Sequence, residues 1–336
     1  IVLHINPDDV FSLCAALMLR HTTGARIVFF NHADDGFSAG LSLADRVIEF
    51  REASALFSRF VKKIEPRKLW IVPLTSRLRP RAAKMKRAEF GIPEGCTVSL
   101  TVAQLYKLLP DGHWNYGQTI KALLEREPDH YHILIGPGPE EIKKRLLDNF
   151  QSSSPEVASR FIRLEGQSEI APFLMLADFL IESFPRMGGI LRIDAMRHGL
   201  PIVAVRNTAL NIFSETGALP ADYPLVALSN EDVVRYSRIL INDSSSRQLY
   251  GAQLLSHYQS HFSANVVSDA LREALTGETP AKRAWFEVDS SVEFERQARK
   301  AIEGRMPALG KVVKFAEGRL GYRHRPDALE RLKGFV

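Results

Sequence analysis

The chain has 336 residues, which at roughly 100 to 200 residues per domain predicts two or three domains. Hydrophobic residues make up 45% and charged residues 25%, the balance of an ordinary globular protein, so the disordered and fibrous classes are excluded. The net charge of +5 comes wholly from residues 281–336, where 13 lysines and arginines outnumber 8 acids. A neutral body with a basic tail predicts no nucleic-acid partner. The tail contacts a partner or an anionic membrane surface, or is only a solvated helix face.

The cellular location is predicted from the apolar runs and the cysteines of the sequence. No run reaches the roughly 18 consecutive apolar residues of a membrane-spanning helix. Two cysteines, Cys14 and Cys96, are too few for a disulfide framework or a four-ligand zinc site. These features predict a cytoplasmic protein, with membrane-peripheral attachment through the tail as the alternative. The apolar opening run, which has no methionine and no charged leader, predicts a truncated start.

A first series of elements alternates short apolar runs with segments of helical period, as in βαβ units around a parallel sheet. Its predicted strands cover 1–5, 26–30, 46–50 and 69–74. Asp8 or Asp9 is expected to cap the helix between the first two strands. A connector rich in Arg and Lys follows over 78–94.

A second series has the same alternation. Its predicted strands cover 97–100, 131–136, 160–164, 178–182, 201–205 and 225–228, and helices are expected around Ile120–Leu124 and over 139–149, 168–176, 189–198 and 231–241. From about Arg247 the pattern is helical to the end. The predicted fold class is α/β, with two Rossmann-like domains facing a cleft, over 1–90 and 91–262, and a helical, basic C-terminal extension over 263–336.

The loops after the strands are where ligands bind in open parallel sheets. The chain contains no GxGxxG, Walker or GxSxG motif, which excludes the usual dehydrogenases, NTPases and hydrolases. In IESFPRMGGILRIDAMRHGLP, Gly188 and Gly189 precede a predicted helix, so free backbone N–H groups and the helix dipole can bind phosphate. A tight turn explains the glycines equally well. Asp194, one turn into that helix, is a candidate for a ribose hydroxyl and otherwise a surface acid.

Lys107 lies in QLYKLLP, just after the first strand of the second series. Its ammonium is a candidate clamp for a diphosphate, although a loop lysine is more often simply exposed. His113, Trp114 and Tyr116 follow it and either contact a ligand or pack as core aromatics.

In the first series, His32 and Asp34 follow the strand at 26–30. His32 is the candidate general base for an acceptor hydroxyl, and Asp34 is the candidate group that orients it. A structural histidine is the alternative, and His4 is a weaker rival. The Asp8-Asp9 and Asp34-Asp35 pairs superficially suggest metal-binding acids. No metal site is predicted, because a helix dipole and a lysine can neutralise a diphosphate without a metal.

QLYKLLP, LLEREP, ILIGPGP, IESFPRMGG and IDAMRHGLP occur in that order between Thr97 and about Ala274. In this order and spacing they resemble the nucleotide-sugar-binding domain of the GT-B glycosyltransferases, most closely the O-GlcNAc transferase family. The resemblance covers about half the chain. The first domain of that family is normally longer than the 90 residues before the connector, which implies that part of the acceptor domain is absent.

The resemblance implies a function and a set of roles. The chain is expected to be a metal-independent hexosyltransferase without a cofactor, moving a sugar from a nucleotide diphosphate, UDP in the first place, to a hydroxyl on a glycan, lipid carrier or protein. Lys107 would hold the diphosphate, Gln104 would approach the sugar or phosphate, and Asp194 would bind the ribose. Glu165 and Gln167 would contact the nucleobase. The remaining donor-binding candidates of these motifs are Tyr106, Gly136, Gly188, Gly189 and Ile190.

One departure keeps alternatives open. The family places small hydroxyl residues at the start of the phosphate-facing helix, where this chain has Gly189-Ile190-Leu191. A non-catalytic binding or interaction module therefore remains an alternative, and so does a sugar-nucleotide epimerase.

Overall fold

The computed structural model describes residues 1–32, 38–60, 62–76, 85–150, 153–206 and 218–278. It divides the chain into two compact α/β units, one of Ile1–Pro73 with the segment from Val267, the other of Leu74–Val266. The first division falls at residue 73 and not at the predicted 90. Asp34 and the basic tail over 281–336 lie outside the described residues, so the predictions for them stay predictions.

The first unit is built on a parallel sheet. Its strands are β1 (Val2–Leu3), β2 (Val28–Phe30), β3 (Arg46–Glu49) and β4 (Leu69–Ile71), paired in chain order. Helices α1 (Val10–Thr23) and α2 (Glu52–Phe60) connect them, with 3₁₀ turns at Leu41–Leu43 and Pro66–Lys68. Asp9 caps α1 by accepting a hydrogen bond from the Ser12 amide at 3.0 Å, which decides between the two predicted caps. Sequence reasoning did not predict α2.

The second unit is built on a larger parallel sheet. Its described strands are β5 (Thr97–Val102), β6 (His130–Ile135), β7 (Phe161–Leu164), β8 (Phe179–Ile181), β9 (Ile202–Val205) and β10 (Val226–Ala227). In space they run β10-β9-β8-β5-β6-β7. The chain begins in the middle at β5, builds outward to β7, and returns to add β8 to β10 on the other side. This is a doubly wound order, and its switch point lies between β5 and β8.

The helices of the second unit cover the sheet. They are α3 (Tyr116–Arg126), α4 (Glu140–Asp148), α5 (Pro155–Ser159), α6 (Ala171–Leu176), α7 (Ile190–Arg197), α8 (Asn230–Asn242) and α9 (Ser244–His261), with 3₁₀ turns at Arg87–Phe90 and Leu105–Leu108. The predicted helices are all present within a few residues. Helix α5 was not predicted, because five residues are too short to show a helical period.

A last helix, α10 (Ala264–Thr276), packs on the first unit. Its Val267, Leu271 and Ala274 belong to one apolar cluster with residues of the first sheet, among them Ile48 and Trp70. The Arg46 guanidinium, itself buried, donates to the Ala274 carbonyl at 2.6 Å. The chain therefore returns to its first unit after completing the second, and the described part of the predicted C-terminal extension is helical.

A chain of polar side chains is buried among β5, β6 and α3. His130 Nδ1 lies 2.8 Å from Thr97 Oγ1, and His130 Nε2 lies 2.8 Å from Ser99 Oγ. Ser99 Oγ is also 2.7 Å from His132 Nδ1, and His132 Nε2 is 2.7 Å from the Tyr116 hydroxyl. Because successive members alternate along each strand, they share one face of the sheet. The side-chain polar atoms of these five residues thus have hydrogen-bond partners within the series.

Candidate functional site

The switch point of the second sheet is where its candidate site lies. Strands β5 and β8 pair there, with Ser99 opposite Phe179 and Leu100 opposite Leu180. The chain leaves the carboxyl end of each strand in opposite directions, which opens a crevice between the two following loops. Lys107 follows β5, and Gly188 and Gly189 follow β8.

Lys107 is held in a 3₁₀ turn over Leu105–Leu108, whose two leucines are fully buried and anchor the turn. Its Nζ donates to the Met187 carbonyl at 3.2 Å, and its own carbonyl accepts from the Arg186 amide at 3.2 Å. Burial lowers the pKa of the Lys107 ammonium. The two loops are therefore tied together, and a cation lies at the edge of the crevice.

The Met187–Ile190 segment leads into α7, and the space beside its two glycines is open. A Cβ built on Gly188 would lie 3.8 Å from Lys107 Nζ, and one built on Gly189 would have no heavy atom within 4 Å. Ile190, the first residue of α7, is exposed. Neither Gly188 nor Gly189 has a positive φ, and packing does not explain why Gly189 lacks a side chain. The α7 N-terminus offers backbone N–H groups beside Lys107, which is an arrangement suited to an anion.

Asp194 lies one turn further along α7 and is only 8% exposed, not on the surface. Its Oδ1 is buried and has no hydrogen-bond partner among the described residues. Burial raises the pKa of Asp194, while a hydrogen bond from the Ser76 hydroxyl opposes the shift. A buried carboxylate oxygen without a partner is costly, so this atom is a candidate to accept a hydrogen bond from a ligand.

The candidates after β7 are engaged with one another. Glu165 accepts hydrogen bonds from Lys143 at 2.7 Å and from Arg163, which lower its pKa. Gln167 Nε2 donates to the Glu165 carbonyl at 3.1 Å. Both residues are exposed, and β7 is two strands away from β5. Among the described residues, no contact joins them to Lys107.

Gln104 and Tyr106 flank the Lys107 turn and are exposed. The Gln104 carbonyl accepts from the Lys107 amide at 2.9 Å, and the predicted role of the Gln104 side chain stays a prediction. Gly136 is required for a steric reason, because a Cβ at this position would lie 1.7 Å from the Ala103 carbonyl oxygen. Close packing of two backbones accounts for this glycine, and its predicted donor contact stays a prediction.

The aromatic residues after the Lys107 turn pack in the core. Trp114 and Tyr116 are buried against Phe184, at ring-centroid distances of 5.6 and 5.3 Å. Only His113 is exposed. Of the two explanations open from the sequence, core packing holds for the tryptophan and the tyrosine.

In the first unit, His32 follows β2 and is exposed, while Asp34 lies outside the described residues. His32 and His4 stand edge to face at 5.4 Å, so the two rival candidates are neighbours. Beneath them, Asn31 Nδ2 donates to both carboxylate oxygens of buried Glu49, at 2.9 and 3.0 Å. The residue before the candidate base is therefore rigidly held.

Sequence reasoning missed a buried ion pair at the same edge. Arg192 Nε donates to Glu182 Oε1 at 2.6 Å and Arg192 Nη2 to Glu182 Oε2 at 2.8 Å. Each side chain is 3% exposed. The available signal was a carboxylate directly after an apolar strand and an arginine in the first turn of the following helix.

Within the described ranges, no group of three or more histidine, cysteine or acidic side chains is placed to hold a metal ion. In that same part of the chain, no helix has both the length and the apolar character needed to cross a bilayer.

Comparison with known proteins places the fold. No protein-family model matches the sequence, and no curated protein matches it. Among solved structures, Anabaena HepE in complex with UDP and glucose is 15% identical, with a TM-score of 0.59 over 79% of this chain and 75% of HepE. WaaG, a glycosyltransferase involved in lipopolysaccharide biosynthesis, is 15% identical, with a TM-score of 0.56 over 81% of this chain and 83% of WaaG.

A UDP-forming α,α-trehalose-phosphate synthase from Burkholderia xenovorans is 11% identical, with a TM-score of 0.56 over 77% of this chain and 70% of that one. Identities this low bear on the fold alone. The specific likeness to the O-GlcNAc transferase family is not among these findings. The chain consists of two parallel-sheet units, and its likeness to these solved structures over about four fifths of its length shows that it has the GT-B fold.

Proposed function

We propose that this protein is a glycosyltransferase that moves a sugar from a nucleotide diphosphate, UDP in the first place, to a hydroxyl on a glycan, lipid carrier or protein. The observation that carries the proposal is Lys107 Nζ lying against Met187 and Gly188, at the switch point and beside the N-terminus of α7. A diphosphate needs such a group of donors in its ground state and more so as a leaving group.

The donor site follows from this placement. Lys107 and the first N–H groups of α7 neutralise the diphosphate, so the proposed reaction requires no metal and no cofactor. Asp194 Oδ1 accepts a hydrogen bond from the ribose, which satisfies its buried lone pairs. Gln104 and Tyr106 contact the sugar or phosphate, and Glu165 and Gln167 contact the base.

Solved structures support the donor class. HepE binds UDP and UDP-glucose, and TarM of S. aureus has been captured with UDP. Within the fold, the order of QLYKLLP, ILIGPGP, IESFPRMGG and IDAMRHGLP supports a relationship with the O-GlcNAc transferase family as the finer hypothesis.

The acceptor step is assigned to His32. Its imidazole takes the proton of the acceptor hydroxyl while the oxygen attacks the anomeric carbon. The bond from that carbon to the phosphate oxygen breaks, and the nucleotide leaves with the electron pair. Exposure of His32 after β2 supports this role, and Asp34 is the proposed orienting group.

Calorimetric titration of UDP and UDP-GlcNAc, with GDP as the specificity control, tests the donor site. Lys107→Ala should lose a charge-assisted contact of about 1.5 to 3 kcal/mol, or roughly ten- to hundredfold in affinity. Lys121→Ala is the matched control, because Lys121 is paired with Glu125 on α3, and it should bind normally. Unchanged affinity in Lys107→Ala contradicts the proposal.

His32→Asn should keep the UDP affinity measured in this titration and lose transfer of the sugar to the acceptor.

A non-catalytic binding module is the second candidate. It is favoured by the first turn of α7, where Ile190 and Leu191 offer no hydroxyl. This candidate predicts nucleotide binding without turnover, or no binding. An epimerase, in contrast, consumes the donor when no acceptor is present.

A further inference from the structure

The ion pair of Glu182 and Arg192 joins three elements at the carboxyl edge of the second sheet. Glu182 follows β8 directly, and its amide donates to the Val203 carbonyl of β9 at 3.1 Å. Its carboxylate accepts two hydrogen bonds from the Arg192 guanidinium of α7 and a third from the Val205 amide at 3.1 Å. The pair thus fixes the first turn of α7 against the ends of β8 and β9.

Stability alone does not account for this pair. Removing two charges from water is costly, and a well-packed apolar pair in the same place is often as stable or more so. An apolar pair, however, does not fix the relative orientation of the two side chains. Two parallel N–H···O bonds hold the guanidinium in the plane of the carboxylate at one distance, and the bond from the Val205 amide holds the carboxylate itself.

The orientation of α7 matters because its first turn is proposed to contact an anion together with Lys107. The first turn of α7 offers an anion its backbone N–H groups, because Gly189, Ile190 and Leu191 carry no donor side chain and the Arg192 guanidinium is engaged with Glu182. Lys107 is held by its turn after β5, and its bond to the Met187 carbonyl joins it to the loop that leads into α7. An anion contacting both therefore requires α7 to lie at a set distance from Lys107. Displacements of 1 Å are enough to weaken such contacts strongly.

We propose that Glu182 and Arg192 are positioning residues for the phosphate-binding first turn of α7, which they set at the distance from Lys107 that a nucleoside diphosphate requires. The proposal rests on the proposed function and adds to it. Neither residue touches the donor. Their effect passes through the helix that carries Asp194 and the N–H groups beside Gly189.

The test separates positioning from packing. Arg192→Lys keeps the charge but removes the two-pronged bond, and the double variant Glu182→Leu/Arg192→Met replaces the pair by apolar side chains. Both are compared with the wild type in the full chain by thermal unfolding and by UDP titration. Arg87→Lys is the matched control, because Arg87 pairs with Asp178 at 2.9 Å at the amino end of the same strand β8.

We expect the double variant to unfold near the wild-type temperature and to bind UDP roughly tenfold or more weakly, as after the loss of one charge-assisted hydrogen bond. Arg192→Lys should show the same loss, while Arg87→Lys should bind UDP normally even if it unfolds earlier. If the folded double variant binds UDP like the wild type, the pair is packing only and the inference is overturned. If the wild type binds neither UDP nor GDP, the proposed function fails and this inference with it.

Discussion

Gly136 is a residue whose importance lies in the side chain it lacks. It directly follows β6, and its amide donates to the Leu164 carbonyl of β7 at 3.2 Å. The Ala103 carbonyl passes so close that a Cβ would collide with backbone, which cannot move aside as a side chain can. This contact fixes the path from β5 into the Lys107 turn, so one glycine contributes to the candidate site from outside it.

Gly136→Ala should therefore destabilise the second unit by about 1 to 3 kcal/mol, the usual cost of overpacking. Urea unfolding measures the change. Gly189→Ala is the control, because its backbone is in the ordinary helical region and nothing lies within 4 Å of the new methyl group. Equal stability of the two variants would show that the close approach at Ala103 is not constrained.

At the scale of elements, β5, β6 and α3 are joined by the buried chain of hydroxyl and imidazole groups. Burial lowers the pKa of His132 to about 3. Burial, and then the neighbouring His132, hold the pKa of His130 well below its ordinary range. Both imidazoles are thus neutral in the folded protein, which allows each ring to donate one hydrogen bond and accept another.

Acid should weaken this part of the fold. In the unfolded chain the histidines titrate near 6.5, so between about pH 6.5 and pH 3 the unfolded state binds more protons than the folded state. Stability is therefore complete above about pH 6.5 and falls as the pH drops, by roughly 1 kcal/mol per histidine per pH unit.

Urea midpoints from pH 7.5 to pH 5 measure this slope, in a range above most carboxylate titration. His132→Gln removes one titrating group and should flatten the slope by about one proton. An unchanged slope in that variant would place the acid sensitivity elsewhere.

At the scale of the whole molecule, the last described helix, α10, packs on the first unit of the chain. Arg46 of β3 reaches the C-terminal end of α10, bonding the Ala274 and Gly277 carbonyls, and its guanidinium stands 4.9 Å over the Trp70 ring. A cation is favourable where helix carbonyls lack partners. Residues more than two hundred positions apart in the chain thus form one core.

Arg46→Met should loosen the end of α10 by removing these two hydrogen bonds, so that its amides exchange roughly ten- to hundredfold faster, for a loss of about 1.5 to 3 kcal/mol. Hydrogen exchange over 271–276 measures the effect. Arg272→Met is the control, since its exposed pair with Asp269 contributes little. Equal protection in both variants would assign the docking to apolar contacts alone.

Much of the fold was predictable from local pattern. Apolar runs of the second series became the strands of a parallel sheet, and Asp9 capped its helix as expected. The positions of Lys107 and Gly188 after strands were also predictable, because a strand and its following loop are neighbours in the chain. Helix α5 was not predicted because five residues are too short to show a helical period, whereas α2 has such a period in Leu56, Phe57 and Phe60, which sequence reasoning missed.

The tertiary structure decided what depends on distant residues. It paired β5 with β8, which brought Lys107 to Gly188, and it engaged Glu165 with Lys143 and Arg163. It also buried Asp194 and the ion pair of Glu182 with Arg192. A sequence encodes local conformation and hydrophobic period directly, whereas strand order and the loss of water around a charge depend on which remote segments pack together.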